Sequence, residues 1–356
     1  MPDVNQPPVW ISEAEVVQLM DLSGAVTALE AGFAAEGGGS AVAMHKTMAS
    51  FGAHATLHAI GAAFESAGIV GTKTWAHTPG GAAPHLLLFD AGDGSLAAVI
   101  EALALGQMRT AGTAALATDR LARSDASRLG MVGTGKQALA QVAAVACVRP
   151  VEHVTCFGRD REKAARFAQG VREELGLECS VAASAAEAVA TADVVTFATR
   201  ATQPVVSTKD VPAGAHVNAI GAIALDRMEF EPDLLERCDV VATDSLPQAR
   251  ALSTELREYF DSGKGEWASV REVADLVVEG ARRPVGADLT LFKGMGSGIE
   301  DLALGIAILE RARVARLGSI IASAELPRPR PRLVRTPAVD GHYEAELERK
   351  GAPDED

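Results

Sequence analysis

The sequence has few aromatic side chains, few cysteines and no surplus of positive charge, and each shortage excludes a class of function. Phe, Tyr and Trp make up 4% of the 356 residues, too few to lay out stacking platforms for single-stranded nucleic acid. Lys and Arg number 33 against 47 Asp and Glu, a formal net charge of −14, so a phosphate backbone meets repulsion. No nucleic-acid partner is expected. No apolar run reaches the ~18–20 residues of a spanning helix, and the start, MPDVNQPPVW, has no basic stretch leading into an apolar one. These absences predict a cytoplasmic protein with no membrane role. Cys147, Cys156, Cys179 and Cys238 are scattered without a CxxC pair and read as reduced, buried thiols. His54 and His58 lie in a strand-like alternation, FGAHATLHAI, with no carboxylate cluster beside them, so no metal is expected.

Apolar residues at 48% and charged residues at 22% are the composition of an ordinary globular protein, and the length suggests two domains. Ser12-Glu13-Ala14-Glu15 reads as a capping box, with Ile11 and Val16 placed for a hydrophobic staple. A second helix runs through Ala25 to Ala35 into Gly37-Gly38-Gly39. From about Met44 to Leu105 come short β-like runs (Thr56–Ile60, Ile69–Thr74, His85–Phe89, Leu96–Ile100) separated by turn residues. They predict an α+β unit on a mostly antiparallel sheet. A helix carrying Arg109-Thr110-Ala111-Gly112 follows, to about Arg123.

From Arg128 strands and helices alternate: Leu129–Val132, a helix to Cys147, His153–Phe157, Arg161–Leu175, Ser180–Ala182, Ala185–Ala190, Asp193–Phe197, Ala215–Ile220 and Asp239–Thr243. Strand, helix, strand, repeated, predicts an α/β Rossmann-type, doubly wound parallel sheet. The expected organisation is an α+β domain over residues 1–124, a Rossmann-type domain over 125–304, and a last long helix, Ile299 to Leu317, whose later part (305–324) returns to the first domain. Residues 325–356, with PRPRPRLVR and an acidic end, read as a disordered tail.

Gly133-Thr134-Gly135-Lys136-Gln137-Ala138 follows a strand and opens a helix, the context that gives a GxGxxA fingerprint its meaning. Gly133 permits the sharp turn, Gly135 lets a pyrophosphate reach the backbone, and small Ala138 lets helix and strand approach. The pyrophosphate would rest on free N–H groups at the helix start, Thr134 and Gln137 beside it. At the end of the second strand, where an NAD site places an acid, the chain has Gly158 and then Arg159-Asp160-Arg161. Arginines suit a 2′-phosphate, so NADP(H) is favoured over NAD(H), Asp160 being free to cap the next helix.

Lys46 (in AMHK), Lys73 (in GTKTW) and Arg109 (in RTAGTAA) precede the nucleotide unit in contexts a solvated charge does not need. With these, HLLLFDAGDGSLAAVIEA, LGMVGTGKQA, HVNAIGA and FKGMGSGIEDLALG stand in order from about Ile11 to Leu317. In them the chain resembles the ornithine cyclodeaminase/μ-crystallin family. The resemblance implies a homodimer in which residues 1–124, with 305–324, form a substrate and dimerisation domain beside a Rossmann NAD(P)-binding domain (125–304), and which binds the carboxylate of a small amino or imino acid through Arg109 and Lys73. Lys46 stands where the family usually has arginine. Thr199, after the strand Asp193–Phe197, and Asn218, in HVNAIG, are expected to line the cofactor, Gly296 and Gly298 to let the backbone approach the nicotinamide, and Asp301 either to complete the pocket or to cap its helix.

One departure is informative. Family cyclodeaminases carry a catalytic aspartate after the HVNAIGA strand; this chain has Ile223 in that place and Asp226 three residues on. Isoleucine cannot shuttle the protons that ring closure and ammonia loss require, whereas imine reduction asks less. The expected activity is an NADP(H)-dependent reductase/dehydrogenase of a small α-imino or α-amino acid, with Lys73 and Asp226 as candidate catalytic groups. Two alternatives stay open: an ornithine/lysine cyclodeaminase using Asp226, and a non-catalytic NADPH-dependent small-ligand-binding protein of the μ-crystallin type.

Overall fold

The computed structural model describes residues 7–322; the expected tail lies outside them. The chain opens with strand β1 (Val9–Ile11), helix α1 (Glu13–Leu19) and helix α2 (Leu22–Gly37). The capping box at Ser12 is formed, with Glu15 closing it, and Ile11 and Val16 are both buried. Five strands follow: β2 (Ala41–Phe51), β3 (Ala55–Phe64), β4 (Ile69–His77), β5 (His85–Asp90) and β6 (Leu96–Glu101). They pair antiparallel in sequence order, and β1 joins β6 in parallel at the far side. The expected mostly antiparallel sheet is therefore present, and β2 begins earlier than the β-like texture indicates.

Helix α3 (Leu103–Leu121) starts six residues before Arg109, which lies inside it. Its cap residue, Ala102, offers no side chain. The carboxylate of Glu13 takes its place, accepting the N–H groups of Leu103 at 2.5 Å and Ala104 at 2.9 Å. An anion there satisfies two orphan donors and suits the helix dipole. Small residues dominate α3 because it is surrounded: Ala111 through Thr118 are all buried, between α2 and the second half of the chain.

That half alternates β7 (Arg128–Val132), α4 (Ala138–Val148), β8 (His153–Phe157), α5 (Arg161–Leu175), β9 (Glu178–Val181), α6 (Ala185–Val189), β10 (Val194–Phe197), β11 (Thr202–Val206) and β12 (His216–Ala219). It goes on through β13 (Met228–Phe230), β14 (Cys238–Thr243), α7 (Leu246–Leu252), α8 (Thr254–Phe260), β15 (Arg271–Glu272), α9 (Val273–Val278) and β16 (Leu289–Lys293). Eight of these strands form a sheet in the order β15-β14-β16-β12-β10-β7-β8-β9, every pairing parallel. Strand order reverses between β7 and β10, the switch point beside which doubly wound sheets bind ligands. One core face gathers Leu129, Met131, Val142, Val154 and Val171; the other gathers Val195, Phe197, Val217, Leu289 and Leu291. Strands covered on both sides read as near-continuous apolar runs, as these do.

Helix α10 (Gly298–Ala315) then packs on α2, α3 and the first sheet, and β17 (Ser319–Ile320) pairs with β1. Gly32 of α2 faces Ala303 of α10, where a Cβ would come within 2.6 Å; the helices cross closely because the residue is glycine. Leu29, Phe33, Leu86, Leu88, Ile100 and Leu304 fill the space beneath, each burial stabilising by ~1.5–3 kcal/mol. Cys147 is exposed and Cys238 only half-buried, a correction to the expectation that all the thiols lie inside: Cys147 occupies the outer face of α4 near its end. No helix among the described residues is long and apolar enough to cross a membrane.

Candidate active site

Strand geometry brings the first two cations together. Met44 pairs with Gly61 and Thr47 with Ala59, so β2 accommodates one extra residue at His45-Lys46. Without this bulge Lys46 would fall opposite Ala59 and point to the wrong face. With it, Lys46 sits beside Ile60, whose partner on β4 is Lys73. Bulges re-aim side chains in this way. Trp75, two residues on, shares the face of Lys73: Lys73 Nζ lies 5.4 Å and Lys46 Nζ 6.0 Å from its ring centroid. His58 stacks on the same indole at 4.7 Å.

Helices supply the rest. Lys73 Nζ donates to Asp301 Oδ1 at 2.5 Å, and Arg109 places Nη1 2.5 Å from Glu300 Oε2 and Nε 3.4 Å from Asp301 Oδ1. Glu300 and Asp301 are fully buried in the first turn of α10. Asp301 does not cap that helix; Ser297 does, accepting from Ile299 N–H. Of the two readings of Asp301, the pocket role is the one its contacts fit. Asp244, buried after β14, accepts the N–H groups of Met295 (2.8 Å) and Gly296 (2.7 Å) and so holds the glycine turn in place. Gly296 has φ 87°, and an added Cβ would come within 2.7 Å of the Arg109 guanidinium. Its neighbour on that side is thus the arginine.

Burial pushes the Lys73 ammonium below its ordinary pKa, Asp301 opposing and Arg109 reinforcing the shift. Burial and Arg109 lower Lys46 in the same sense. Burial lifts the Glu300 carboxyl well above the carboxylate range, more than Arg109 can offset, with Asp244 adding to the rise. Glu300 Oε1 and Asp301 Oδ2 are buried without a hydrogen-bond partner among the described residues, and buried polar atoms left unpaired call for a ligand or water.

At the C-terminal edge of the parallel sheet, the residues present fit a dinucleotide. Gly133 has φ 106°, and a Cβ there would strike the Ala198 carbonyl at 2.5 Å. Gly135 has nothing within 4 Å of its missing Cβ, an open cradle before α4. Ala138 is fully buried, while Gln137 Oε1 is buried and unpartnered. Thr134 packs its hydroxyl side against Gly158, where a Cβ would come within 2.5 Å of Oγ1. Arg159 is exposed. Asp160 caps α5, accepting from Glu162 and Lys163 N–H at 3.1 and 3.0 Å. Thr199 borders the same edge, half-buried after β10.

Two expected residues lie elsewhere. Asn218 is fully buried in β12, its amide donating to Thr118 Oγ1 at 2.9 Å and its Oδ1 within 3.1 Å of His216 Nε2. These bonds tie it into the contact between β12 and α3. Asp226 sits on an exposed turn, side chain 78% exposed, 3.8 Å from Arg227; no contact joins it to Lys73, Arg109 or Asp301. The sequence reading also missed the Trp75–His58 stack, Asp244 and Glu300. Only Glu300 left a signal, standing beside Asp301 in GSGIED.

A parallel nucleotide-binding sheet beside a buried cationic pocket defines a class, the nicotinamide-dinucleotide-dependent oxidoreductases. The chain belongs to the ornithine cyclodeaminase/mu-crystallin family, whose sequence model matches residues 8–315. It is 31% identical over 229 residues to a Delta(1)-pyrroline-2-carboxylate reductase of Bacillus cereus, covering 64% of this chain and 70% of that protein. Rat ketimine reductase mu-crystallin is 33% identical over 217 residues, 61% of this chain and 66% of the relative. Among solved structures, the iminosuccinate reductase of Paracoccus denitrificans in complex with NAD+ superposes with a TM-score of 0.83 at 26% identity, covering 88% of this chain and 99% of that one. These relatives are named as reductases of imine substrates, and NAD+ is bound in the Paracoccus structure; this chain is a nicotinamide-dependent oxidoreductase of that class.

Proposed function

We propose that this protein is an NADP(H)-dependent reductase of a small α-imino acid, working in reverse as an amino acid dehydrogenase. The observation that carries the reading is the convergence of Lys46, Lys73 and Arg109, from three separate elements, around Asp301 and Trp75. A guanidinium and an ammonium fix an α-carboxylate and therefore the carbon beside it. The nicotinamide, when bound, supplies the hydride. Lys73, made a better proton donor by burial, is placed to protonate the nitrogen, with Asp301 holding its ammonium in position. The buried wall excludes water from the pair.

Preference for the 2′-phosphate rests on Gly158 and Arg159. Thr134 fills the space from which an acidic side chain at 158 would have to start, so no carboxylate can reach a ribose hydroxyl from there. Arg159 and Arg161 form no ion pair among the described residues and flank the position instead. The division of labour that supports this reading assigns residues 1–124 and 305–324 to substrate binding and dimerisation, and 125–304 to the cofactor. Assembly as a homodimer is supported by the outward face of β2–β4, where Val42, Phe51 and Leu57 are exposed around a groove of about 330 Å³ lined by Met44, Ala63, Val70 and Phe89. Free thiols support a reducing compartment, the cytoplasm. The test is NADPH oxidation with a panel of cyclic and acyclic imino acids formed from keto acids and amines. Turnover restricted to substrates with an α-carboxylate supports the reading. Release of ammonia from ornithine without net cofactor turnover would support a cyclodeaminase, and tight NADPH binding with no oxidation a binding protein.

A further inference from the structure

Glu229 is a fully buried carboxylate with no part in the cationic pocket. It stands on β13, yet both its oxygens are spent on the loops that follow β10 and β12. Oε1 accepts the N–H of Thr199 at 2.6 Å and its hydroxyl at 2.9 Å. Oε2 accepts the N–H groups of Gly221 at 2.8 Å and Ala222 at 3.0 Å. The loops touch so closely that a Cβ on Gly221 would come within 2.5 Å of Glu229 Oε1 and collide with the Thr199 backbone. Burial raises the Glu229 pKa, opposed by Lys293 and by these donors. A buried anion earns such a position only where its hydrogen bonds organise something.

The network continues to the third loop of the same edge. Glu229 N–H donates to Glu255 Oε1 at 3.0 Å, and Lys293 Nζ lies 3.2 Å from that oxygen, both side chains fully buried. Ser253 Oγ holds the other Glu255 oxygen at 3.1 Å. Lys293 ends β16 and leads directly into the Gly294–Gly296 turn against which Arg109 lies. The carboxylate thus ties together Thr199, Gly221-Ala222 and, through Glu255 and Lys293, the glycine turn. All three loops leave the carboxyl ends of neighbouring strands, β10, β12 and β16, where doubly wound sheets receive their ligands.

From this juxtaposition we infer that Glu229 is a positioning residue for the nicotinamide half of the cofactor, setting the spacing of the loops that border it. The inference rests on the nicotinamide-dependent reading above. Glu229→Gln keeps the volume but turns an amide NH2 toward two N–H groups, losing two bonds to a charged acceptor. Each such bond is worth about tenfold in an equilibrium. Calorimetric titration with NADPH is expected to show the dissociation constant rising about tenfold or more, with NADPH KM following. The imino acid KM at saturating NADPH stays within about twofold, since Lys46, Lys73 and Arg109 are untouched. Glu229→Asp, retaining the charge on a shorter stem, falls between. A purely structural role would lower the thermal midpoint without separating the two Michaelis constants. Should Glu229→Gln fail to fold, Thr199→Val removes the hydroxyl's bond to Glu229 together with the one it accepts from Ala201 N–H, and is expected to weaken NADPH binding in the same selective way. Folded Glu229→Gln with unchanged NADPH affinity, or Thr199→Val unchanged where Glu229→Gln is lost, overturns the inference. Wild-type protein that binds no nicotinamide dinucleotide overturns the functional reading as well, so the two failures are distinguishable.

Discussion

Replacing Arg159 by alanine isolates the choice of cofactor from everything else the fold does. The side chain is exposed and makes no hydrogen bond or ion pair among the described residues, and its neighbour Asp160 is occupied in capping α5. Nothing in the folded protein is lost with it, so stability is expected to stay within ~0.5 kcal/mol. A guanidinium–phosphate contact is charge-assisted and worth ~1.5–3 kcal/mol, and exposure to solvent puts this one at the lower end. At 1.36 kcal/mol per decade, kcat/KM for NADPH is expected to fall about tenfold. With Arg161, exposed on the other side of Asp160, also replaced, the loss approaches about a hundredfold if the two contacts add. NADH carries no 2′-phosphate, and its kcat/KM is expected to change less than about twofold. The assay is steady-state oxidation of both cofactors with one imino acid at saturation. Equal losses for NADPH and NADH, or none for either, would refute the reasoning about the Gly158–Arg161 turn.

Two further outcomes follow from the pocket. Burial lowers the pKa of Lys46 and Lys73, and only the protonated form holds a carboxylate. As pH rises through those lowered values the cations are lost, so imino acid KM is expected to climb at a lower pH than free lysine would dictate. In Lys46→Arg, whose guanidinium does not titrate, the climb moves to higher pH; a pH profile identical to wild type would count against Lys46 facing the substrate. Asp226→Asn is expected to leave kcat and KM within about twofold, as for an ordinary surface substitution, because the carboxylate is exposed on a turn away from the cations. A large drop in kcat would show that the turn closes over the pocket.

Much of the fold was legible because local signals agreed with tertiary ones. Helix α5 occupies the expected Arg161–Leu175, with Asp160 capping it and Gly176 stopping it at φ 67°. The apolar runs of β7, β10 and β12 announce strands covered on both faces. Lys73 and Arg109 stood out because charge is expensive in such apolar surroundings. Other features were hidden for physical reasons. The Lys46 bulge depends on register between β2 and β3, which no single strand carries. Glu229 lies in a three-residue strand, Met-Glu-Phe, whose meaning comes from loops 7 to 30 residues away in sequence. Asn218 looked available because its strand ends at the cofactor edge, but α3 presents Thr118 to it, a contact between elements 100 residues apart. Asp226 was read by nearness in sequence to a position whose usual carboxylate is missing, and the turn carries it outward.

The central claim is hydride transfer to the α-carbon of a carboxylate-bearing imine. Its most direct measurement is mass spectrometry of the product formed with NADPH deuterated on the reactive face of C4. The account predicts one deuterium at Cα of the amino acid, formed in step with NADPH oxidation, and loss of that product when Arg109 is neutralised in a protein that still binds NADPH. Product lacking the label at Cα, or unaltered labelling without the Arg109 charge, would contradict it.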